Sequence, residues 1–310
     1  MELEARQVLH SRWRVLGEWR DKEWWYTGFH DPASGAYVSW YFIRVNFCDE
    51  FAFTVFDPTE KAPAHFERKL FLDRPRIADG LSLVNRGREL QVEYEGRAEQ
   101  GWSFRMKSGG FEADLQIASA PPAFTKFDNE LVDRYGLLHL FQNRATGTVR
   151  TPGRSYRLDG ALGYYDHCFG RVPANSGWHW VALWNEEVAL ASLVNYGVYP
   201  QRYTQVLFRK GVAERRPGEW IRLDQDVSFE QAPGHAVGCP WSVTSCELEL
   251  EVMPLQSVSG RERIPPLVPF LVDIRHSELF VKAKGRVRVD GRWFETGELV
   301  GVMEQHHGRW

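Results

Sequence analysis

No stretch of this 310-residue chain sustains apolar residues at spacings of three and four over many turns, so its helices should be few and its core must come from strands. In place of helical spacing there is a long succession of short aromatic and β-branched runs, each closed by Gly, Pro, Asp or Asn. The first pair sets the grammar. Glu23-Trp24-Trp25-Tyr26-Thr27-Gly28-Phe29-His30 runs into Asp31-Pro32-Ala33-Ser34-Gly35 and out through Ala36 to Val45, which predicts a hairpin. Strands are expected at 51–56, 64–72, 81–85, 90–95, 102–108, 111–118, 135–142 and 147–150, followed by the strand that carries Asp166. After Pro173-Ala174-Asn175-Ser176-Gly177 the pattern restarts, with strands expected at 178–185, 188–198, 203–210, 220–229, 243–253, 268–276, 279–289 and 297–304. The stretch 6–19 reads as a packing arm. The chain is therefore expected to be all-β, with an N-terminal domain of residues 1–172 and a C-terminal domain of residues 173–310. Sheets of this many strands protect their edges by curling into barrels or pairing into sandwiches.

Within this ladder one stretch is chemically unlike the rest. Gly163-Tyr164-Tyr165-Asp166-His167-Cys168-Phe169-Gly170 sets an acid and an imidazole side by side on an aromatic strand, with Gly177-Trp178-His179-Trp180 just beyond. Strand side chains alternate, so Tyr164, Asp166 and Cys168 share one face while Tyr165, His167 and Phe169 share the other. If Asp166 lines an apolar pocket, desolvation keeps it protonated, able to give a proton to an alkene or a hydrogen bond to a carbonyl, with Tyr164 beside it. His167 then faces the other way and ties the strand to a neighbour or to Glu23, unless a bulge re-aims it. The bland reading of the same pair is a satisfied turn or a buried polar knot. Aromatic faces of Trp24, Tyr26, Trp178 and Phe169 would hold a flexible substrate and stabilise developing positive charge by roughly 0.5 to 2 kcal/mol each. His179 and Glu304 complete the expected substrate-binding set, and Asp166, Tyr164, His167 and Glu23 form the expected catalytic set.

Composition narrows the partners. Lys plus Arg at 38 against Asp plus Glu at 41 gives no electrostatic argument for nucleic acid. Aromatic residues at 14%, with 13 Trp, permit a greasy small-molecule ligand. The longest apolar run, near Val188 to Val198, is interrupted by Ser192, Asn195 and Tyr196, so no integral membrane segment is expected. Four scattered cysteines and a start without the basic-then-apolar order of a signal peptide fit the cytoplasm. Neither phosphate-cradling nor dinucleotide glycine motifs occur, so no nucleotide cofactor is expected. The adjacent His306 and His307 would project apart on a strand, so a metal site with Glu304 is not expected and a tail fits them better. Cys168 is not expected to be a nucleophile, since its neighbour His167 projects away from it.

Four motifs in order resemble the carotenoid 1,2-hydratase and AttH-like family: Glu23-Trp24-Trp25-Tyr26, then Gly163-x-x-Asp166-His167-x-x-Gly170, then Gly177-Trp178-His179-Trp180, then Gly297-x-x-x-Gly301-x-Met303-Glu304. The resemblance spans about residues 18 to 304 and implies two lipocalin-like β-domains. It also implies a choice of chemistries: water addition to an isolated double bond, hydration of prenyl groups, ring closure to chromanols, or guided cycloaddition of polyenes. Cys168 and Phe169, and Thr27-Gly28 after the opening motif, depart from the hydratase pattern and point away from carotenoid hydration toward a natural-product cyclase. Two function classes follow: a cofactor-free cyclase or hydratase of an unsaturated hydrophobic metabolite, pericyclic closure included, or a carrier of such a molecule that does no chemistry. The ionisable residues favour the enzyme.

Overall fold

The computed structural model describes residues 21–45, 48–71, 76–78, 82–88, 90–97, 100–119, 124–128, 136–171, 175–197, 201–223, 226–233, 239–264 and 272–309. The expected packing arm at 6–19 lies outside them. Among the described residues there is no helix, and none therefore long and apolar enough to cross a membrane.

Strands β1 (Asp21–His30), β2 (Tyr37–Val45), β3 (Asp49–Phe56), β4 (Ala64–Leu70), β5 (Arg76–Ala78), β6 (Ser82–Arg86), β7 (Gln91–Arg97), β8 (Gly101–Ser108), β9 (Phe111–Ala118), β10 (Phe124–Asp128), β11 (Gly136–Thr151) and β12 (Arg154–Arg171) form one antiparallel sheet. A second sheet is built from β13 (Asn175–Trp184), β14 (Val188–Gly197), β15 (Gln201–Phe208), β16 (Trp220–Arg222), β17 (Ser228–Gln231), β18 (Trp241–Thr244), β19 (Leu248–Ile264), β20 (Val272–Val289), β21 (Arg292–Glu295) and β22 (Leu299–Arg309). Each sheet curls into an open antiparallel half-barrel, as two lipocalin-like domains would. By contacts the chain divides into a unit of Met1–Val55 with Ala64–Val172 and a unit of Phe56–Pro63 with Pro173–Trp310.

The two sheets follow one rule. In the first, the order is β4-β3-β2-β1-β12-β11-β9-β8-β7-β6-β5, with β10 added to β11; in the second it is β16-β15-β14-β13-β22-β20-β19-β18-β17, with β21 added to β20. In each, the opening strand pairs with the closing strand, so the seam between chain start and chain end lies mid-sheet and the free edges fall elsewhere. Burial follows position. On β9, Phe111, Ala113, Leu115 and Ile117 are buried while Asp114 and Gln116 are exposed, the alternation of a strand covered on one face. At the seam, every residue from Ala161 to Phe169 on β12 is buried, and β2 is nearly as covered, so both faces of the seam are out of water.

Local chemistry explains the hairpin that opens the first sheet. Asp31 Oδ2 accepts from the Ser34 backbone N–H at 2.9 Å and hydroxyl at 2.7 Å, and Gly35 takes a positive φ of 73° that few other residues tolerate. Further along the seam, a side chain at Gly163 would run into the ring of Phe29, and one at Gly28 into the phenol of Tyr37. Both glycines buy close approach of aromatic rings rather than unusual backbone.

Several strand boundaries differ from expectation. The expected 135–142, from Gly136 on, and 147–150 are one strand, β11, which absorbs an irregularity at Gln142 (φ 63°) without ending. Likewise the described part of 268–276, from Val272, and 279–289 belong to the single β20, whereas 220–229 divides into β16 and β17, and 243–253 falls across β18 and β19. His306 and His307 are not a tail: β22 runs through both, hydrogen-bonded on one side to β13 and on the other to β20, and His306 is buried.

Candidate active site

The register of the first seam decides where each polar side chain points. Tyr26 pairs with Asp166 across β1 and β12, and His139 pairs with Asp166 across β11 and β12; Phe141 pairs with Tyr164. Cross-strand partners share a face. Trp25, Phe29, Tyr165 and Phe169 belong to the apolar interior of the sheet. Trp24, Tyr26, His139, Phe141, Tyr164, Asp166 and Cys168 therefore lie on the opposite, outward face.

On that face three groups form a hydrogen-bonded chain. The Tyr164 hydroxyl donates to Asp166 Oδ2 at 2.8 Å and lies 2.6 Å from His139 Nδ1. A hydroxyl has one proton, so while Tyr164 spends its proton on Asp166 the histidine Nδ1–H is the donor to the phenol oxygen. Burial pushes the His139 imidazole down to about 3, so it is neutral near pH 7. Beside this chain the Tyr26 and Tyr37 hydroxyls meet at 2.8 Å, an approach that the missing side chain of Gly28 permits. The rings of Tyr26 and Phe141 stand 6.1 and 4.6 Å from that of Tyr164. The result is an acid, three phenols and a neutral imidazole in an aromatic frame, all buried.

The inward face of the same strands carries a separate polar pair. His167 Nε2 lies 2.9 Å from Glu23 Oε1, with both side chains wholly buried. Trp25 stacks on the imidazole at 5.1 Å and 5°, and Phe169 stands 5.3 Å from it. No register shift interrupts β1 against β12, so no bulge turns His167 toward Asp166. Glu23, His167 and Phe169 thus share the interior and stand apart from Asp166, Tyr164 and Tyr26.

The residues expected from the second unit divide in the same way. Trp178 lies on the outward face of β13, stacked on His306 at 3.7 Å and 3°, and its indole N–H donates to Glu304 Oε2 at 3.3 Å. Burial raises the Glu304 carboxyl to about 7, only partly offset by that one donor. His179, the next residue, points into the half-barrel, where its Nδ1 lies 2.8 Å from the Tyr196 hydroxyl. Among the described residues no group of three or more His, Cys, Asp or Glu side chains could hold a metal ion.

Sequence reasoning missed His139 and Tyr37. The signal for His139 was present. Counting outward from the turn at Pro152-Gly153 pairs His139 with Asp166, and strand alternation then puts Phe141 on the same face.

No family model matches the chain, and no curated protein matches it significantly in sequence. Solved structures do match its fold. A putative AttH from Nitrosomonas europaea superposes with a TM-score of 0.69 at 13% identity, covering 98% of this chain and 96% of that one. Kievitone hydratase from Nectria haematococca gives 0.61 at 10% identity, covering 93% and 88%. CghA, solved with Sch210972, gives 0.66 at 13% identity, covering 100% and 93%. At such identities the likeness establishes the two-sheet architecture over the whole chain, the one that the sequence motifs led us to expect.

Proposed function

We propose that this protein is an enzyme that hydrates or cyclises an unsaturated, hydrophobic natural-product intermediate, such as a polyene, polyketide or terpenoid, with Asp166 as its proton donor or hydrogen-bond donor. The observation that carries this reading is the His139–Tyr164–Asp166 chain on the outward face of the seam, framed by Tyr26 and Phe141. Kievitone hydratase, by its name, and CghA, solved with Sch210972, support it as proteins of the same fold. A simple carrier has no use for three coupled ionisable or hydroxyl groups, which cost free energy to bury unless function repays them.

In hydration, protonated Asp166 gives its proton to one alkene carbon. The π pair forms the new C–H bond, and the cation left on the other carbon is stabilised by the faces of Tyr26, Tyr164 and Phe141. Water attacks that carbon and its surplus proton returns to the Asp166 carboxylate, so the sum is addition of water. The Tyr164 phenol, itself held by neutral His139, hydrogen-bonds the carboxylate while it is charged. In cyclisation a second double bond or a hydroxyl replaces water as the nucleophile. For a pericyclic closure Asp166 need only donate a hydrogen bond to a substrate carbonyl while the aromatic frame folds the chain.

The test is to incubate the purified protein with a panel of prenylated aromatics and linear polyenes, kievitone among them, and to follow product mass. Hydration adds the mass of water and cyclisation leaves mass unchanged. Asp166→Asn should lower proton-initiated turnover by about 10²–10⁴-fold and slow a pericyclic closure less. Undiminished turnover by a folded Asp166→Asn variant would remove the proposed donor.

A further inference from the structure

The interior of the second sheet changes character along its strands. One row across it, Ser259, Ser277, Gln305, His179, Val194 and Arg202, is paired residue to residue from β19 to β15 and is mostly polar and solvent-reachable. The next row toward the core contains Leu279, Met303 and Val181, all buried. One end of this half-barrel thus presents a polar lip over an apolar floor.

Four rings converge at that lip. His179 stands 5.2 Å from Tyr196 and 5.3 Å from Trp241, edge-on to both, and 5.6 Å from Phe229. β13 is bonded to β14 and β22, not to β17 or β18. The contacts to Phe229 and Trp241 therefore span the interior instead of running along one wall. Tyr196 is exposed, His179 and Phe229 are half-buried, and Trp241 is 4% exposed.

Two hydrogen-bonding atoms of this cluster are unused among the described residues. Trp241 Nε1–H is buried without a partner, and His179, whose Nδ1 meets the Tyr196 hydroxyl, makes no hydrogen bond through Nε2. A buried indole N–H without an acceptor is destabilising, so a tenant bringing an acceptor is favoured. The tenant should be uncharged. Burial lowers the His179 pKa and favours its neutral form, and the nearby cation Arg202 pairs with Asp226 at 2.9 Å, so none of the four clustered rings offers a countercharge to an ionic ligand.

We propose that His179, Tyr196, Phe229 and Trp241 form a small-molecule binding site at the open end of the second half-barrel, selective for a neutral, planar apolar molecule that carries one hydrogen-bond acceptor. The acceptor takes the Trp241 Nε1–H, the ring system lies among Phe229, Tyr196 and the imidazole, and the apolar edge rests on Val181 and Met303. This site is independent of the Asp166 chemistry and belongs to the other unit.

The experiment is calorimetric titration with two probes of equal shape, 2-acetylnaphthalene and 2-ethylnaphthalene, differing in the carbonyl oxygen. Wild type should bind both saturably, the ketone about fivefold to tenfold more tightly. Trp241→Phe, which keeps an aromatic ring, should erase that preference. His179→Ala and Tyr196→Ala should each weaken both probes several-fold; Tyr196 is exposed, so its loss leaves the fold intact. Asp166→Asn should change neither affinity, which separates this site from the first unit. Absence of saturable binding, a ketone preference that survives Trp241→Phe in a folded protein, or loss of binding in Asp166→Asn would each overturn the assignment.

Discussion

Trp25 lies flat against His167 across β1 and β12, and Trp178 lies flat against His306 across β13 and β22. Both stacks sit where the first strand of a sheet meets its last, and both have a glutamate at hand. They differ in the face they occupy. The first points into its sheet, where Glu23 bonds the imidazole itself; the second points outward, where Glu304 accepts instead from the indole N–H. The same three residue types thus make two different arrangements. In the second, burial raises the Glu304 carboxyl to about 7, only partly offset by the indole donor. What a motif does is set less by its residues than by which side of the pleat receives them.

Breaking the inward pair should have the largest effect. Glu23→Ala or His167→Ala breaks this wholly buried hydrogen-bonded pair and should cost about 3–5 kcal/mol in urea unfolding. The double variant should cost clearly less than the sum. Next is His139 on the outward face. Its folded pKa lies below the unfolded value, so the stability it confers is complete above about pH 6.5 and is lost as pH falls toward 3. Between about pH 7 and 4.5 wild type should lose about 3 kcal/mol more than His139→Phe.

Glu304 should behave in the opposite sense. Its folded pKa is raised, so its favourable contribution is complete below about pH 4.5 and is lost as pH rises through 7. Glu304→Gln should therefore remove about 1–3 kcal/mol of destabilisation seen in wild type between pH 4.5 and 8, a range discounted because the residue keeps some solvent access. Smallest is Trp178→Phe, which keeps the stack but deletes the N–H. It should cost about 1 kcal/mol at pH 8 and shift the Glu304 transition upward.

Much of this was legible because strand periodicity is strict. The opposite orientations of Asp166 and His167 follow from the pleat alone. The same rule separates Trp178 from His179, although adjacency in sequence led us to group both with Glu304 as substrate-binding residues. Pairing between distant strands was harder to read. His139 reaches Asp166 only through a long hairpin, and the irregularity at Gln142 made β11 read as two strands. His306 and His307 read as a tail because they lie near the carboxyl end, beyond the last expected strand, yet β22 runs through both and is hydrogen-bonded on both sides, and backbone pairing of that kind does not depend on the side chains. Phe169 was expected in the wall around Asp166, but it shares the parity of His167 and lies inside.

The central claim is that two neighbours divide the labour, Asp166 serving chemistry and His167 serving the fold. Turnover per folded molecule of Asp166→Asn and of His167→Gln, measured on one substrate, tests it most directly. The account predicts that the Asp166 variant folds and turns over a proton-initiated substrate about 10²–10⁴-fold more slowly than wild type, while the folded fraction of the His167 variant retains most of its turnover. An active Asp166→Asn beside an inactive, fully stable His167→Gln would contradict it.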